Sequence, residues 1–298
     1  MDKELIRQII IDRTAENGLT ETGIEGVRLF RATQSIPCVP AVYEPCVIAI
    51  VSGAKEAIQN GRRYVYDHNH YLCCPMSMPV QAGTPDASIE EPLYGVIITL
   101  DQRVMTQLTM EMDNVAGVVS GKKAERDAQG IRLAQWDAAF ADALLRLLQL
   151  GDNQTDIAVL GAARLQEFYY AVLKGESGVY ARQAFGAGNA IARSITYVSS
   201  NLDSTISIDE MASRANMSRA AFHRKFKQVT TMAPIQFVKS MRLNNAAMKI
   251  AAGMNVSEAA MGVGYASPSQ FSREFKRMYG QSPRQWSEAL HVPKGITS

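Results

Sequence analysis

Residues 255–286 read Asn255-Val-Ser-Glu-Ala-Ala-Met-Gly-Val-Gly-Tyr-Ala-Ser-Pro-Ser-Gln-Phe-Ser-Arg-Glu-Phe-Lys-Arg-Met-Tyr-Gly-Gln-Ser-Pro-Arg-Gln-Trp286. Asn255 caps a helix whose Val256, Ala259, Ala260 and Val263 share one apolar face. Gly264-Tyr265-Ala266 turns the chain. Ser267-Pro268-Ser269-Gln270 then opens a second helix, with Ser at the N-cap, Pro at the first helical position and Gln at N3. Phe271 and Phe275 fall on its inner side, and Arg273, Lys276 and Arg277 stay outside. A helix, a short turn and a basic helix make the helix-turn-helix layout.

The same order of signals occurs upstream. Ser207-Ile208-Asp209-Glu210 is a capping box in front of Met211 and Ala212. Asn216-Met217 turns, and Ser218 caps a helix over Arg219–Val229. Phe222 and Phe226 repeat the buried spacing; Arg219, His223, Arg224, Lys225 and Lys227 repeat the basic face. Between the two units, Pro234 starts a helix carrying Ile235, Phe237, Val238, Met241, Leu243, Ala247 and Ile250. An eighteen-residue helix spans roughly 27 Å, of the order of one duplex turn. That length sets two recognition helices in successive major grooves on one DNA face.

The charge distribution agrees. The chain has 298 residues and a net charge of +2. Residues 186–298 carry 14 Lys+Arg against 6 Asp+Glu, and residues 1–185 carry 17 against 23. A basic segment joined to an acidic one is the footprint of a polyanion-binding module attached to something else. The glycine clusters Gly175-Glu176-Ser177-Gly178 and Gly186-Ala187-Gly188-Asn189 place the boundary within 175–190, giving units 1–185 and 186–298. The 47% hydrophobic and 20% charged shares exclude wholesale disorder. No apolar run approaches ~18 residues, and the start has no signal-peptide pattern, so a cytoplasmic protein without membrane contact is expected.

Residues 26–100 alternate short β-branched runs with turns: Val27–Phe30, Val47–Val51, Arg63–Tyr66, Tyr71–Cys74 and Tyr94–Leu100. Asn60-Gly61 is the strongest hairpin signal, joining Glu56–Gln59 to Arg62–Tyr66. Strands at this spacing predict a small barrel or sandwich. After Leu100 the period becomes helical: Asp101 caps Val104, Met105, Leu108 and Met112. Trp136, Phe140, Leu144 and Leu147 form one stripe, and Ile157, Leu160, Leu165, Phe168 and Val172 another. These helices pack on the barrel or pair subunits in a homodimer. The fold class is α+β, a β-barrel with helices followed by an all-α domain of two helix-turn-helix units joined by a linker helix.

The stretch Val256–Trp286 resembles the signature of AraC-type transcription regulators, including the Gly-Tyr turn, the Phe-x-x-x-Phe-Lys core and the Gly-x-Ser-Pro exit. Residues 26–112 are similar, more loosely, to the N-terminal domain of one AraC-type branch, through Tyr43-Glu-Pro-Cys46, Val51-Ser-Gly-Ala-Lys55 and Leu100-Asp101. The resemblance implies bacterial transcription control, usually activation. It also implies a cupin-like sensor barrel, contact with RNA polymerase and promoter DNA as partner.

Helix-turn-helix proteins read bases from the first turns of the second helix. The positions that would read are Ala220, His223 and Arg224 in the first unit and Ser269, Gln270 and Arg273 in the second. Either arginine suits a guanine edge, Gln270 suits adenine, and Ala220 offers only apolar contact. Gln270 would also complete the cap, so its two roles compete. Ser218, Arg219, Lys225, Lys227, Ser267, Lys276 and Arg277 are assigned to phosphates, which position without specifying.

The sensor's ligand is open at this level: a small molecule, or an aldehyde or other electrophile acting on Cys38, Cys46, Cys73 or Cys74. Cys46 or Cys73 would line a barrel cavity. His68-Asn69-His70 resembles a metal-cupin pair, but two ligands do not close a site. No cofactor or metal is therefore expected, and no Walker or Gly-x-Ser-x-Gly motif points to an enzyme. The rivals are a cupin-type metal enzyme and a ligand-independent architectural DNA-binding protein.

Overall fold

The computed structural model describes residues 2–116, 130–186 and 189–290. Its organising feature is the Asn60-Gly61 hairpin. Both residues have positive φ, 48° and 79°, the backbone of a two-residue turn whose twist matches the flanking strands. The turn joins β5 (Ala54–Gln59) to β6 (Arg62–Asp67) in register, Gln59 opposite Arg62.

Among the described residues, ten strands form two antiparallel sheets. The first has the order β1 (Gly18–Glu21), β2 (Val27–Ala32), β9 (Leu93–Thr99), β4 (Cys46–Ser52), β7 (His70–Cys74), β10 (Arg132–Gln135). The second has the order β3 (Ile36–Tyr43), β8 (Met78–Thr84), β5, β6. The central strand β4 is buried along both faces from Cys46 to Val51, which is why its sequence is a continuous apolar run. Tyr43 and Tyr66 meet hydroxyl to hydroxyl at 3.0 Å, a buried polar pair that satisfies itself.

Helices close the ends. α1 (Asp2–Arg13) seats Ile6 and Ile10 in the core. In α2 (Gln102–Ala116), Asp101 accepts from the Arg103 and Val104 amides, as its capping role requires. α3 (Ala138–Leu148) and α4 (Gln154–Lys174) cover the first sheet, with Phe140 stacked on Tyr71 at 4.1 Å. The turn at Gly175–Gly178 leads into α5 (Gly178–Phe185) and is tied back by Ser177, whose hydroxyl lies 2.8 Å from that of Tyr71. The first glycine cluster is thus a tight turn packed on the sheet. Of the second, Ala187 and Gly188 lie outside the described residues.

Residues 190–290 are helical: α6 (Ala190–Ser200), α7 (Ile208–Arg214), α8 (Arg219–Thr230), α9 (Pro234–Ala251), α10 (Val256–Met261), α11 (Pro268–Tyr279) and α12 (Pro283–Leu290). One buried apolar cluster continues from the sheets through α3–α6 into Phe222, Phe226, Phe237 and Met241. A second gathers Leu243, Ile250, Ala259, Phe271 and Phe275. The connector α9 contributes to both.

Three expectations need correction. A reactive thiol requires access and a lowered pKa. Cys46, Cys73 and Cys74 are instead buried. Burial pushes the Cys46 and Cys73 thiols up to about 12 and Cys74 also well above its ordinary value. These three are buried core side chains on strands β4 and β7. Cys38 is half-buried, and its thiol is also pushed up, by burial and then by the Glu56 carboxylate. Second, Leu160 stands outside the α4 stripe and is exposed. Third, the Ser207 capping box is half made: Ser207 accepts from the Glu210 amide, but the Glu210 carboxylate turns to Arg214 and Tyr197.

Candidate nucleic-acid interface

Each recognition helix is set by a cap, a turn and a pair of phenylalanines. Ser218 accepts from the Ala221 amide at 3.4 Å and starts α8; Ser267 accepts from the Gln270 amide at 3.3 Å and starts α11. In the first unit the turn passes through Asn216 at φ 52°. In the second it passes through Gly264 at φ 82°, where a side chain would stand 2.6 Å from the Leu202 carbonyl. Only glycine fits there, both for its backbone and for the space. Phe222 and Phe226 lie 5.4 Å apart, centroid to centroid; Phe271 and Phe275 repeat the same 5.4 Å. All four are fully buried, so each helix is fixed in rotation about its axis.

That rotation decides what faces solvent. On α8, Arg219, Ala220, His223, Arg224, Lys225 and Lys227 are exposed. On α11, Ser269, Gln270, Arg273, Lys276 and Arg277 are exposed. Arg224 and Arg273 each follow the first phenylalanine of their helix by two residues, so they occupy equivalent places. Neither makes an ion pair among the described residues. Arg219, by contrast, pairs with Asp209 at 3.2 Å, both side chains exposed. An exposed pair of this kind contributes about 0–1 kcal/mol and yields readily to a phosphate. The Gln270 amide does not reach back to the cap; it donates to Glu274 at 3.3 Å.

Glu274 is a residue that sequence reasoning passed over. Its carboxylate also accepts from Tyr265 at 2.8 Å and from Lys239 at 3.1 Å. Burial pushes its pKa up, but these donors outweigh it and hold the carboxyl below its ordinary value. The network ties the turn, the connector α9 and the recognition helix α11 together. Arg242 adds a second tie by donating to the Ser204 carbonyl at 2.6 Å.

A second missed residue is Asn244 of α9, which is buried against the second sheet. Its amide donates to the Ala41 carbonyl at 2.7 Å and the Val80 carbonyl at 2.8 Å. Its oxygen accepts from Tyr279, the last residue of α11, at 2.6 Å. Nearby, the free edge amide of Val42 donates to the Met248 sulfur at 3.3 Å. At the hairpin tip, Asn60 donates to the Thr231 carbonyl at 3.1 Å, just past the end of α8. The β-sheet body therefore touches both helix-turn-helix units. A mid-helix asparagine gives no signal of this in sequence, because the same residue on a solvated face reads identically.

His68 is exposed and His70 half-exposed, and no group of three metal-ligating side chains occurs among the described residues. No helix there is long and apolar enough to cross a membrane.

Two basic recognition helices on one rigid connector, mounted on a double-sheet body, define a double helix-turn-helix DNA-binding protein. Known proteins narrow this further. The family model for the AraC-type transcriptional regulator N-terminus matches residues 23–180, and a helix-turn-helix domain model matches residues 211–289. The chain belongs to the AraC-type transcriptional regulators. It is 40% identical over 80 residues to the HTH-type transcriptional regulator MtrA of Neisseria gonorrhoeae, 26% of this chain and 27% of that one. It is 27% identical over 97 residues to the regulatory protein SoxS of Escherichia coli K12, 32% of this chain and 91% of SoxS. The chain thus spans little more than a quarter of the length of the first of these relatives. Over most of the chain the fold is similar to that of ToxT from Vibrio cholerae, with a TM-score of 0.56 at 13% identity, covering 90% of this chain and 98% of that one. A ToxT structure with a bound unsaturated fatty acid aligns at 0.54 and 13% identity, covering 96% and 100%.

Proposed function

We propose that this protein is a sequence-specific bacterial transcription regulator that acts on promoter DNA in the cytoplasm. The observation that carries the reading is the equivalence of Arg224 and Arg273, two unpaired guanidiniums on two helices held by identical phenylalanine pairs. Each is suited to a guanine edge, with Gln270, His223, Ser269 and Ala220 as neighbouring readers. Lys225, Lys227, Lys276, Arg277, Arg219 and the capping serines Ser218 and Ser267 hold the backbone. The division at 185/186 separates this DNA-binding unit from a unit that senses a small effector and pairs two copies. RNA polymerase is the downstream partner, and activation is the expected sense of control.

The coupling runs through α9. A change in the second sheet moves the Ala41 and Val80 carbonyls, and Asn244 passes that movement to Tyr279. An enzyme reading finds no support in the chemistry of the site, which offers donors for an anion and no nucleophile–base pair. The test is transcription in vitro from the protein's own promoter with purified polymerase. Added protein is expected to change transcript yield, and the double variant Arg224→Ala/Arg273→Ala is expected to lose the change. Equal yields with and without the protein would overturn the reading.

A further inference from the structure

Helix α4 is apolar on two faces. One face packs: Phe168, Tyr169, Val172 and Leu173 are buried in the core. The other is left in water. Residues 157–163 read Ile-Ala-Val-Leu-Gly-Ala-Ala, an unbroken apolar run, and within it Ala158, Val159, Leu160, Ala162 and Ala163 are exposed. Two turns further on, Tyr170 is exposed as well. Val159 is 72% exposed, Leu160 39% and Tyr170 43%. A helix whose only task is to cover a sheet carries polar residues on its outer side. Large apolar side chains left in water along one side of a helix mark an interaction surface.

The order of residues along this face says what covers it. Asp156, Ala163 and Tyr170 recur at seven-residue spacing, and so do Leu160, Glu167 and Lys174. The two series interleave at steps of four and three, so they form one seam along the helix, roughly 27 Å long. Asp156 and Lys174 stand equally far from Leu165 on opposite sides, and the same holds for Leu160 with Tyr170 and for Ala163 with Glu167. A second copy running antiparallel about Leu165 therefore meets this seam with its complement. Acid faces base at both ends, leucine faces tyrosine inside them, and alanine leaves room for Glu167 at the middle. Asp156 and Lys174 are exposed, and neither makes an ion pair among the described residues; the Lys174 ammonium lies over the Tyr170 ring at 5.6 Å. Glu167 is already held by Arg146 at 2.8 Å and Arg164 at 2.9 Å, so the pairing buries no lone charge. We propose that the outer face of α4 is a homodimer interface, an antiparallel α4–α4 pair centred on Leu165 and clasped at each end by Asp156 and Lys174. It rests on the regulatory reading, whose pairing of two copies it supplies with a surface and a register. Such a contact uses one patch twice and closes at two copies.

The experiment is sedimentation velocity of the full chain over a concentration series, beside DNA binding by the same preparation. The wild type is expected to pass from monomer to dimer as concentration rises. Leu160→Glu is expected to raise the dissociation constant at least tenfold. At concentrations where both proteins are monomers its melting temperature should match the wild type, because Leu160 is exposed in the single chain. Charge exchange tests the register. Asp156→Lys alone and Lys174→Asp alone each set like charges face to face, so each should weaken the dimer. The double variant Asp156→Lys/Lys174→Asp should recover most of the loss. Charges that only complemented their own helix ends would behave in the opposite way, with two losses that add. A wild type that stays monomeric across the series, a dimer untouched by Leu160→Glu, or additive losses in the double variant would each overturn the proposal. A dimeric wild type that does not bind DNA would instead overturn the regulatory reading on which it rests.

Discussion

Asn244 accepts a 2.6 Å hydrogen bond from Tyr279 while its amide spans two carbonyls of the β-sheet body. The last residue of the second recognition helix is therefore bonded, through one side chain, to strands β3 and β8. The three bonds use both of the amide's N–H donors and one of its oxygen's two lone pairs in a buried site. Such a contact is worth little when complete and is unfavourable when half of it is removed, which makes it a point of leverage.

Asn244→Ala leaves the Tyr279 hydroxyl without its acceptor in the interior. Stability should fall by about 1–3 kcal/mol. Amide hydrogen exchange at Val42, whose amide bonds Met248 on the same helix, should speed up in step. Unchanged protection at Val42 would show that Asn244 does not hold the helix on the sheet.

Glu274 gives the DNA-binding half a pH dependence. Its folded carboxyl is held below the ordinary value of 4.5 by Tyr265, Gln270 and Lys239. Its stabilising contribution is therefore fully present above that value and is lost as pH falls through the folded one. Thermal unfolding of the wild type should show stability declining below about pH 4.5. Glu274→Gln should be less stable at pH 7 and show a shallower decline. Parallel curves for the two proteins would remove Glu274 from the account.

Two glycines with positive φ should behave differently on substitution. At Gly61 nothing lies within 4 Å of an added side chain, so Gly61→Ala meets only backbone strain, about 1 kcal/mol. At Gly264 the side chain would also stand 2.6 Å from the Leu202 carbonyl. Gly264→Ala should therefore lower the denaturant midpoint more than Gly61→Ala does. The reverse order would contradict the geometry given for the second turn.

The thiols should be slow. With Cys46, Cys73 and Cys74 enclosed and their pKa values raised, an alkylating reagent at pH 7.5 should label Cys38 first in the folded protein. All four should react in denaturant. Rapid labelling of Cys73 in the folded state would restore it as a sensor.

Much of this architecture was legible from local chemistry. Caps at Ser218, Asn255 and Ser267, the paired phenylalanines and the Asn60-Gly61 turn act within a few residues, and the structure keeps each of them. What escaped the sequence depends on partners far along the chain. Asn244 gains its meaning from Ala41 and Val80, more than 160 positions away. Cys46, Cys73 and Cys74 are ordinary core residues because neighbouring strands enclose them, which no local pattern states.

Selection of binding sites from a random duplex library by the full chain tests the central claim most directly. Two short motifs should emerge, separated centre to centre by about one helical turn, ~10 base pairs. Arg224→Ala should lose base preference in one motif and Arg273→Ala in the other, each by about 1–3 kcal/mol of discrimination. A single motif, or loss of the same motif by both variants, would contradict the placement of two equivalent recognition helices on one DNA face.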